Sequence, residues 1–526
     1  MPVPIIDLFA GPGGLAEGFS TLVDTQGDRV FKIKLSVEKD AFAHQTLTLR
    51  SFLRQFPVNA LPAEYYDFLQ QKITQAELYD RYPDAWQDAI KEAWQATLGA
   101  TSSEEMDSRI SEALEHQTNW VLIGGPPCQA YSLVGRSRVG GVHEDDHRVH
   151  LYKEYLRIIA AHQPAVFVME NVKGLLSAEL NGEKIFPRIL ADLSDPSSVF
   201  PEHVSSKYKI HSLVTNQVKT DSDFLIRSEN YGVPQKRHRV ILLGIREGIK
   251  AEPGILTKSP KVNLSSVIGM LPKVRSGVYR DYSHTEEVFT NGLLKKKRHY
   301  LPVKDSFENW SGRVSKYASD LSSHFPDGNA GSNRFPLDTG LEYRPYVKGT
   351  LSTDHPLYSW YSDKKTEGVV QHASRAHLSL DLKRYLFAAL YSEVYGKFPR
   401  MQDYREFGDD LVPDHENVES GKFNDRFRVQ LPDEPATTVT SHISKDGHYF
   451  IHYDPQQCRS LTVREAARIQ TFPDNYFFCG PKTQQFHQVG NAVPPYLAFQ
   501  IGNIVKGVLA KHEELTNADS EINYAE

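Results

Sequence analysis

The sequence predicts an α/β fold in which a mainly parallel β-sheet carries helices on both faces. Short apolar runs alternate with helical periods through the first half of the chain, as repeated strand–helix units require. The strand-like runs cover residues 3–9, 31–37, 120–123, 165–169 and 240–245. Reactive or ligand-binding side chains stand next to these runs, and open α/β sheets hold their ligands at the carboxyl ends of the strands.

The bulk composition excludes several classes of protein. The chain has 526 residues, 40% of them apolar, and a formal net charge of −6, which is typical of a soluble protein with more than one domain. No stretch approaches the ~18 consecutive apolar residues of a membrane span, and the N-terminus has no signal-peptide pattern. We therefore expect a cytoplasmic protein that has no membrane partner.

The three cysteines of the chain are Cys128, Cys458 and Cys479. Their wide separation gives neither a disulfide framework nor the ligand spacing of a metal site, so we expect no bound metal. A reducing compartment would leave Cys128 available as a free thiol.

A change of composition predicts a smaller domain inserted into the first one. Residues 248–430 are richer in Pro, Ser, Asn and Tyr, and their periodicity is weak. We therefore divide the chain into a first segment of the catalytic domain at 1–247, an inserted domain at 248–430, and a return to the catalytic domain at 431–526. Residues from about 40 to 118 are polar and helical in pattern, and we interpret them as a helical insertion.

Charge is unevenly distributed along the chain. Residues 235–320 contain seventeen Lys and Arg against eight Asp and Glu, a local charge of +9. Such a basic flank is compatible with a solvated face and also with a surface that meets an anion, and the composition alone does not decide between them.

A glycine-rich turn follows the first predicted strand in the stretch DLFAGPGGLAEGF. Gly11, Gly13 and Ala16 satisfy the loose dinucleotide pattern G-x-G-x-x-G/A, and Glu38 ends the next strand, where a carboxylate can bind ribose hydroxyls. The pattern fits any adenosine-bearing cofactor, NAD or S-adenosylmethionine, and also a plain tight turn. The proline between the glycines and Phe9 before the turn, whose ring could stack on adenine, favour S-adenosylmethionine.

Three further clusters point to covalent chemistry on an electron-poor ring. They are Cys128 in PPCQ, Glu170 in ENV, and Arg237 with Arg239 in QKRHR, and we predict that all three follow strands of the same sheet. A thiolate is a nucleophile, a buried carboxyl held protonated can donate to a ring nitrogen, and guanidiniums orient oxygens and anions. Taken singly, each has an ordinary structural explanation, such as a buried inert cysteine or a surface basic run.

In combination these motifs resemble the DNA (cytosine-5) methyltransferases of bacterial type. The matching stretches are DLFAGPGG at Asp7, GGPPCQAYS at Gly124, ENV at Glu170, QKRHRV at Gln235, RSLTVREAARIQTFPD at Arg459 and QVGNAVPPYLA at Gln488. The resemblance implies a Rossmann-like methyltransferase sheet, an inserted target-recognition domain, S-adenosyl-L-methionine as the cofactor and double-stranded DNA as the substrate.

The resemblance also implies roles for individual residues. Cys128 would attack C6 of a cytosine flipped out of the duplex, Glu170 would hydrogen-bond N3 and the exocyclic amine, and Arg237 and Arg239 would support the base and the nucleophile. The residues around the cofactor would be Phe9, Gly11, Gly13, Glu38, Pro127 and Asn491, with Asp107 on the adenine side because it lies about twenty residues before the cysteine.

Three other functions stay open at this stage. An RNA cytosine-5 methyltransferase would use the same chemistry, although the long inserted domain favours duplex DNA. A non-catalytic DNA-binding relative would keep the fold, although the Cys, Glu and Arg set is intact. An NAD-dependent oxidoreductase has only the glycine pattern in its favour. Many such methyltransferases partner a restriction endonuclease that acts on the same site, and this partner is expected by family analogy alone.

Overall fold

The computed structural model of the protein describes residues 1–127, 147–180, 182–290, 293–325, 335–413, 426–445 and 447–525. Within these ranges an eight-stranded sheet forms the centre of the molecule. Its strands are β1 (Val3–Leu8), β2 (Phe31–Glu38), β3 (Ala93–Gln95), β4 (Val121–Gly124), β5 (Val166–Val172), β8 (Tyr208–Ser212), β9 (Leu225–Arg227) and β11 (His238–Arg246).

The strand order is β3–β2–β1–β4–β5–β11–β8, and β9 pairs with β11. The strands from β3 to β5 are parallel, whereas β11 is antiparallel to β5, β8 and β9. The chain leaves β1 towards β2 on one side and returns to β4 on the other. This change of direction opens a crevice at the carboxyl ends of β1 and β4, which is where such sheets bind ligands.

Helices cover both faces of the sheet, as the sequence predicts. One face packs against α6 (Ser103–Leu114), α7 (His147–His162) and α8 (Ile185–Ser194) in a core that includes Phe167 and Met169. The other face packs against α1 (Gly14–Ser20) and the long C-terminal helix α16 (Pro495–Ala525). Both apolar faces of the sheet are therefore shielded from water, as a mostly parallel sheet requires.

The segment from 40 to 118 is not wholly helical. Four helices come first, α2 (Ala41–Arg54), α3 (Ala63–Leu69), α4 (Gln75–Asp80) and α5 (Pro83–Glu92), and then β3 joins the edge of the central sheet beside β2 before α6 begins. The prediction of a purely helical insertion is wrong at β3. Three residues are too few to show a period, so the strand is visible only through its pairing with β2.

The C-terminal helix α16 returns to pack on α1 because two glycines allow the backbones to touch. A β-carbon built on Gly14 would lie 2.4 Å from the carbonyl oxygen of Val493, and one built on Gly18 would lie 2.4 Å from that of Pro495. The last segment of the chain thus becomes a structural part of the first domain.

The middle of the chain builds two further cores. One surrounds Trp310 and Leu386 on α10 (Phe307–Leu321) and α12 (Ser379–Tyr395), with α13 (Met401–Phe407) packed beside them. The other joins α9 (Leu264–Ile268) and α11 (Tyr358–Tyr361) to α14 (Val463–Ile469) and α15 (Lys482–Asn491).

The remaining strands form small sheets. They are β6 (Glu179–Leu180), β7 (Glu183–Lys184), β10 (Gln235–Lys236), β12 (Gly277–Thr290), β13 (Leu293–Pro302), β14 (Tyr343–Pro345), β15 (Gly368–Val370), β16 (Ala376–Leu378) and β17 (Ala436–Thr437). The longest of these, β12 and β13, form an antiparallel ribbon within the basic flank. Among the described residues no helix has both the length and the apolar character needed to cross a membrane.

The contact between α1 and α16 gives a stability prediction. Gly18→Ala is expected to lower the free energy of unfolding by about 1–3 kcal/mol, because the added methyl meets backbone atoms that cannot move aside. Urea unfolding followed by circular dichroism measures the change.

Gly507→Ala is the matched control on α16, since a β-carbon there has nothing within 4 Å. Alanine favours a helix interior over glycine, so this variant is expected to be as stable as the wild type or more so. Equal stability of Gly18→Ala and Gly507→Ala would contradict the close packing of α1 on α16.

Candidate functional site

The loop between β1 and α1 has the geometry of a ligand cradle. Three of its residues, Phe9, Gly11 and Gly13, have positive φ angles, 57°, 57° and 93°. This conformation suits glycine, whereas at Phe9 it is uncommon and costs energy. A β-carbon on Gly11 would have no heavy atom within 4 Å, so open space borders the loop there.

Glu38, the last residue of β2, is tied to this loop. Its carboxylate accepts hydrogen bonds from the backbone N–H of Gly11 at 2.8 Å and from that of Asp40 at 2.7 Å. These bonds fix the direction of the carboxylate at the carboxyl edge of the sheet. The structure therefore brings Glu38 together with the glycine-rich turn, as the sequence predicts.

Asn491 belongs to a segment that packs against the same turn. It is the last residue of α15 and is exposed, and Val493, two residues later, lies against Gly14 at the start of α1. Residues almost 500 positions apart in the sequence are thus neighbours around one loop.

The structure does not bring Asp107 to this loop, and the prediction of an adenine-side role is wrong for this residue. Asp107 lies on α6, where its carboxylate accepts a hydrogen bond from Arg157 at 2.9 Å and lies 2.9 Å from Nε2 of His162. His162 ends α7 just before β5 begins, so it lies at the amino edge of the sheet, opposite to the glycine-rich turn.

The residue that does stand beside Glu38 is Gln95, its pairing partner at the end of β3. Counting about twenty residues back from Cys128 did not find Gln95. The loop and α6, which follow β3, lengthen the interval between the end of β3 and Cys128. The short strand that carries Gln95 had no periodic signal of its own.

The second cluster lies at the carboxyl ends of β4 and β5. A β-carbon built on Gly125 would lie 3.0 Å from Oε2 of Glu170, so the loop after β4 packs directly on this carboxylate. On the other side, Nε of Arg239 lies 2.7 Å from Oε1 of Glu170. Both side chains are mostly buried, with 14% and 15% of their surface exposed, so the ion pair is only weakly screened by water.

Arg239 reaches Glu170 because β11 runs antiparallel to β5. The sequence-based prediction that QKRHR follows a strand is wrong, since the motif leads into β11, whose first residue is His238. In the antiparallel register Arg239 is opposite Val172 and Ile241 is opposite Glu170. The amino end of β11 therefore meets the carboxyl end of β5. The arginines lie at the predicted edge of the sheet, although they stand at the start of their strand and not after its end.

Arg237 has a different environment from Arg239. It is 2% exposed, and its Nη1 donates to the carbonyl oxygens of Val439 at 2.8 Å and Gly490 at 3.3 Å. Burial, followed by the nearby charge of Arg239, lowers the pKa of this guanidinium well below its usual value, while Glu170 acts in the opposite direction. Arg237 thus holds the returning C-terminal segment against the site.

Sequence reasoning missed the part played by Gln235 in the same motif. Its side chain is fully buried, donates to the carbonyl oxygen of Ile469 and to the side chain of Gln470, and accepts from the backbone N–H of Val439 at 2.6 Å. The alternation Gln-x-Arg-x-Arg could have given this signal, because residues two apart in an extended segment point to the same side.

Cys128 lies outside the described residues, which end at Pro127 on this side of the gap. Its neighbours in the chain are described: Gly125 contacts Glu170, and Pro127 is partly buried. A thiol at position 128 therefore comes three residues after the backbone that touches the Glu170–Arg239 pair.

The described residues form two adjoining parts of one crevice. One part, with positive-φ glycines and an oriented carboxylate, can hold a nucleoside with vicinal hydroxyls. The other part, with a carboxylate–guanidinium pair, can hydrogen-bond a polar ring. The donor set fits an adenosine-bearing cofactor next to a heterocyclic substrate.

Comparison with known proteins agrees with this chemistry. The family described as C-5 cytosine-specific DNA methylase matches residues 81–507. The type II methyltransferase M.Bpa9945I of Bacillus paralicheniformis is 31% identical, with 97% of this chain and 99% of the relative covered. The DNA (cytosine-5-)-methyltransferase M.ApeKI of Aeropyrum pernix is 27% identical, with 74% and 81% covered.

Among solved structures, an E. coli prophage-encoded protein described as a DNA modification methyltransferase has a TM-score of 0.50 and 17% identity, with 97% of this chain and 99% of that chain covered. This likeness shows that the two chains share the Rossmann-like α/β fold. The chain belongs to the C-5 cytosine-specific DNA methylases, and its activity is that of a DNA (cytosine-5-)-methyltransferase.

Proposed function

We propose that the protein methylates C5 of a flipped cytosine in a specific duplex sequence, with Cys128 as the nucleophile and Glu170 and Arg239 as the groups that bind the ring. The observation that carries these assignments is the 2.7 Å Glu170–Arg239 pair packed against Gly125, three residues before the cysteine. The family match supports the reaction, and the geometry supports the residues.

S-adenosyl-L-methionine is the proposed cofactor, and Phe9, Gly11, Gly13, Glu38, Pro127 and Asn491 would hold it. The fit rests on the open space beside Gly11 and on the carboxylate of Glu38, which the loop itself orients. When bound, the cofactor supplies an electrophilic methyl group on a sulfonium. The glycines allow close approach of the backbone, and Glu38 accepts hydrogen bonds from ribose hydroxyls.

The residues around cytosine have distinct proposed tasks. C5 of cytosine is a poor nucleophile until the thiolate of Cys128 adds to C6, which makes C5 enamine-like. Glu170 would bind the N3 and amine edge of the ring during this addition. Arg239 holds the carboxylate in place and balances its negative charge. The sequence-based hypothesis, in which the carboxyl is protonated, did not include this ion pair. Once C5 carries the transferred methyl group, loss of the C5 proton expels Cys128 and restores the ring.

Arg237 is proposed as a positioning residue, since its Nη1 and Nη2 groups donate to backbone carbonyls. It would keep the C-terminal segment with Asn491 beside the crevice. Its substitution is therefore expected to disturb the whole site, whereas loss of Arg239 would act on the ring-binding pair.

Recognition of DNA is assigned to residues 248–430, with residues 1–247 and 431–526 forming the catalytic domain. A base inside a duplex cannot reach the cysteine, so the target must be flipped out at a cost of a few kcal/mol. The local charge of +9 over residues 235–320 would contact phosphates, which position the duplex without reading its sequence. A bacterial cytoplasmic location and a restriction endonuclease acting on the same site are proposed by analogy with the type II relatives.

Bisulfite sequencing of DNA from a bacterial host that expresses the protein tests this function. Cytosines at one position of one short sequence are expected to resist conversion, and the Cys128→Ser variant is expected to leave every cytosine convertible while it retains cofactor binding. Complete conversion with the wild type, together with methylation of transfer RNA by the purified enzyme, would show that RNA is the substrate.

Glu170→Gln is expected to lower the turnover number by roughly 10²–10⁴-fold, because an amide cannot pair with Arg239 or act as an acid. Transfer of labelled methyl groups to duplex DNA measures the change. Glu179→Gln, at an exposed position on β6, is the matched control and is expected to keep the wild-type rate. An unchanged rate for Glu170→Gln would remove this residue from catalysis.

Glu38→Gln is expected to weaken binding of S-adenosylmethionine by roughly 10–100-fold, which corresponds to loss of one hydrogen bond to a charged group. Calorimetry with the purified variant measures the affinity, and the exposed Glu104→Gln on α6 serves as the control. Wild-type affinity in Glu38→Gln would mean that the cofactor does not contact this carboxylate.

A further inference from the structure

A second cavity, of about 580 Å³, lies beside α1, with Glu17 and Ser20 in its lining. Its wall includes Arg29, two residues before the start of β2 and therefore at the amino edge of the sheet. The cofactor loop and Glu38 are at the carboxyl edge. The cavity also approaches the glycine-rich turn, because Arg50 in its lining lies over the ring of Tyr476, whose hydroxyl donates to the carbonyl oxygen of Pro12. Neither the resemblance nor the catalytic geometry accounts for this cavity.

Three guanidiniums share one wall of this cavity. Arg50 donates from Nε to Glu17 at 3.1 Å, and Arg54 donates from Nε to Glu92 at 2.9 Å. Arg29 forms no ion pair with any described residue and donates only to the carbonyl oxygens of Ser20 and Phe56. The wall therefore holds one positive charge more than its carboxylates neutralise.

The paired arginines also keep donors without acceptors. Nη1 of Arg50 and Nη1 of Arg54 are buried and have no hydrogen-bond partner within the described part of the chain. The two side chains expose only 9% and 7% of their surface. Buried charged donors that lack acceptors are costly, and an anion would supply the missing acceptors once the two side chains turn towards the cavity. Burial, assisted by Arg54, lowers the pKa of Arg29 to about 10, as expected for crowded cations.

Another part of the cavity lining is aromatic. Trp360, Tyr496 and Phe499 line the cavity and are only partly buried. Their rings pack on one another, with centroids 5.3 Å apart for Trp360 and Tyr496 and 6.2 Å apart for Tyr496 and Phe499. Two exposed lysines, Lys364 and Lys365, also line the cavity.

We propose that this cavity binds a free nucleoside phosphate, with the phosphate on Arg29, Arg50 and Arg54 and the base against Trp360, Tyr496 and Phe499. Three features together select this class of ligand. The volume lies within the ~300–1,000 Å³ range of small-molecule sites. Guanidiniums match phosphate oxygens, and aromatic rings stack on bases.

Calorimetry on the full-length enzyme, saturated with S-adenosylhomocysteine so that the cofactor site is closed, tests the proposal. The probes are ATP, GMP, inorganic phosphate, unphosphorylated guanosine and a short duplex DNA. Saturable binding of ATP or GMP is expected, about tenfold or more tighter than that of phosphate or guanosine. Quenching of tryptophan fluorescence that the Trp360→Phe variant lacks would place the base in this cavity.

The variant Lys364→Glu/Lys365→Glu reverses two exposed charges at the cavity and is expected to weaken nucleotide binding by about tenfold or more. Lys91→Glu/Lys207→Glu changes the net charge equally at exposed positions outside the lining and is expected to bind as the wild type does. Affinity for S-adenosylmethionine is expected to stay unchanged in both, which separates this site from the cofactor site.

Several results would overturn the proposal. They are absence of saturable binding at millimolar nucleotide, equal affinity for inorganic phosphate, competition by the duplex DNA, or equal weakening in the two double variants. The variants of Arg29 are an independent test. Arg29→Gln removes the unpaired cation and must weaken ATP binding, whereas Arg29→Lys keeps a cation and must retain most of the binding.

Discussion

The ion pair between Glu170 and Arg239 depends on the direction of one strand. If β11 ran parallel to β5, its first residues would lie at the amino edge of the sheet, and Arg239 would be a full strand length away from Glu170. Because β11 is antiparallel, its amino end meets the carboxyl end of β5, and the two side chains come within 2.7 Å. The crevice can therefore combine a carboxylate from one strand with a guanidinium from its neighbour.

A second constraint is the return of the C-terminal segment to the sheet. Gln235 and Arg237, two residues apart in the motif that leads into β11, bind backbone groups of Ile469, Val439 and Gly490. The glycines of α1 then admit α16 at backbone contact distance. The crevice is therefore assembled from both ends of the chain.

Apart from β3, β8 and β9, the sequence predicted the strands of the central sheet and the helices on both of its faces. These succeed because long apolar runs and glycine turns are local signals. The failures have equally physical causes. Residues 93–95 are too few to show a period, so β3 was missed and with it the neighbour of Glu38. Asp107 was chosen by counting back from Cys128, a measure that ignores how a helix redirects the chain. The direction of β11 depends on pairing, which no local pattern encodes.

The most direct test of the account is covalent capture of a duplex library that contains 5-fluorocytosine, whose C–F bond blocks release of the enzyme after methyl transfer. The wild type is predicted to form a stable adduct through Cys128. Arg239→Gln is predicted to lose the adduct while it keeps wild-type affinity for S-adenosylmethionine, because the ring-binding carboxylate loses its partner and the cofactor loop does not. Adduct formation by Arg239→Gln at the wild-type rate would contradict the role given to the Glu170–Arg239 pair.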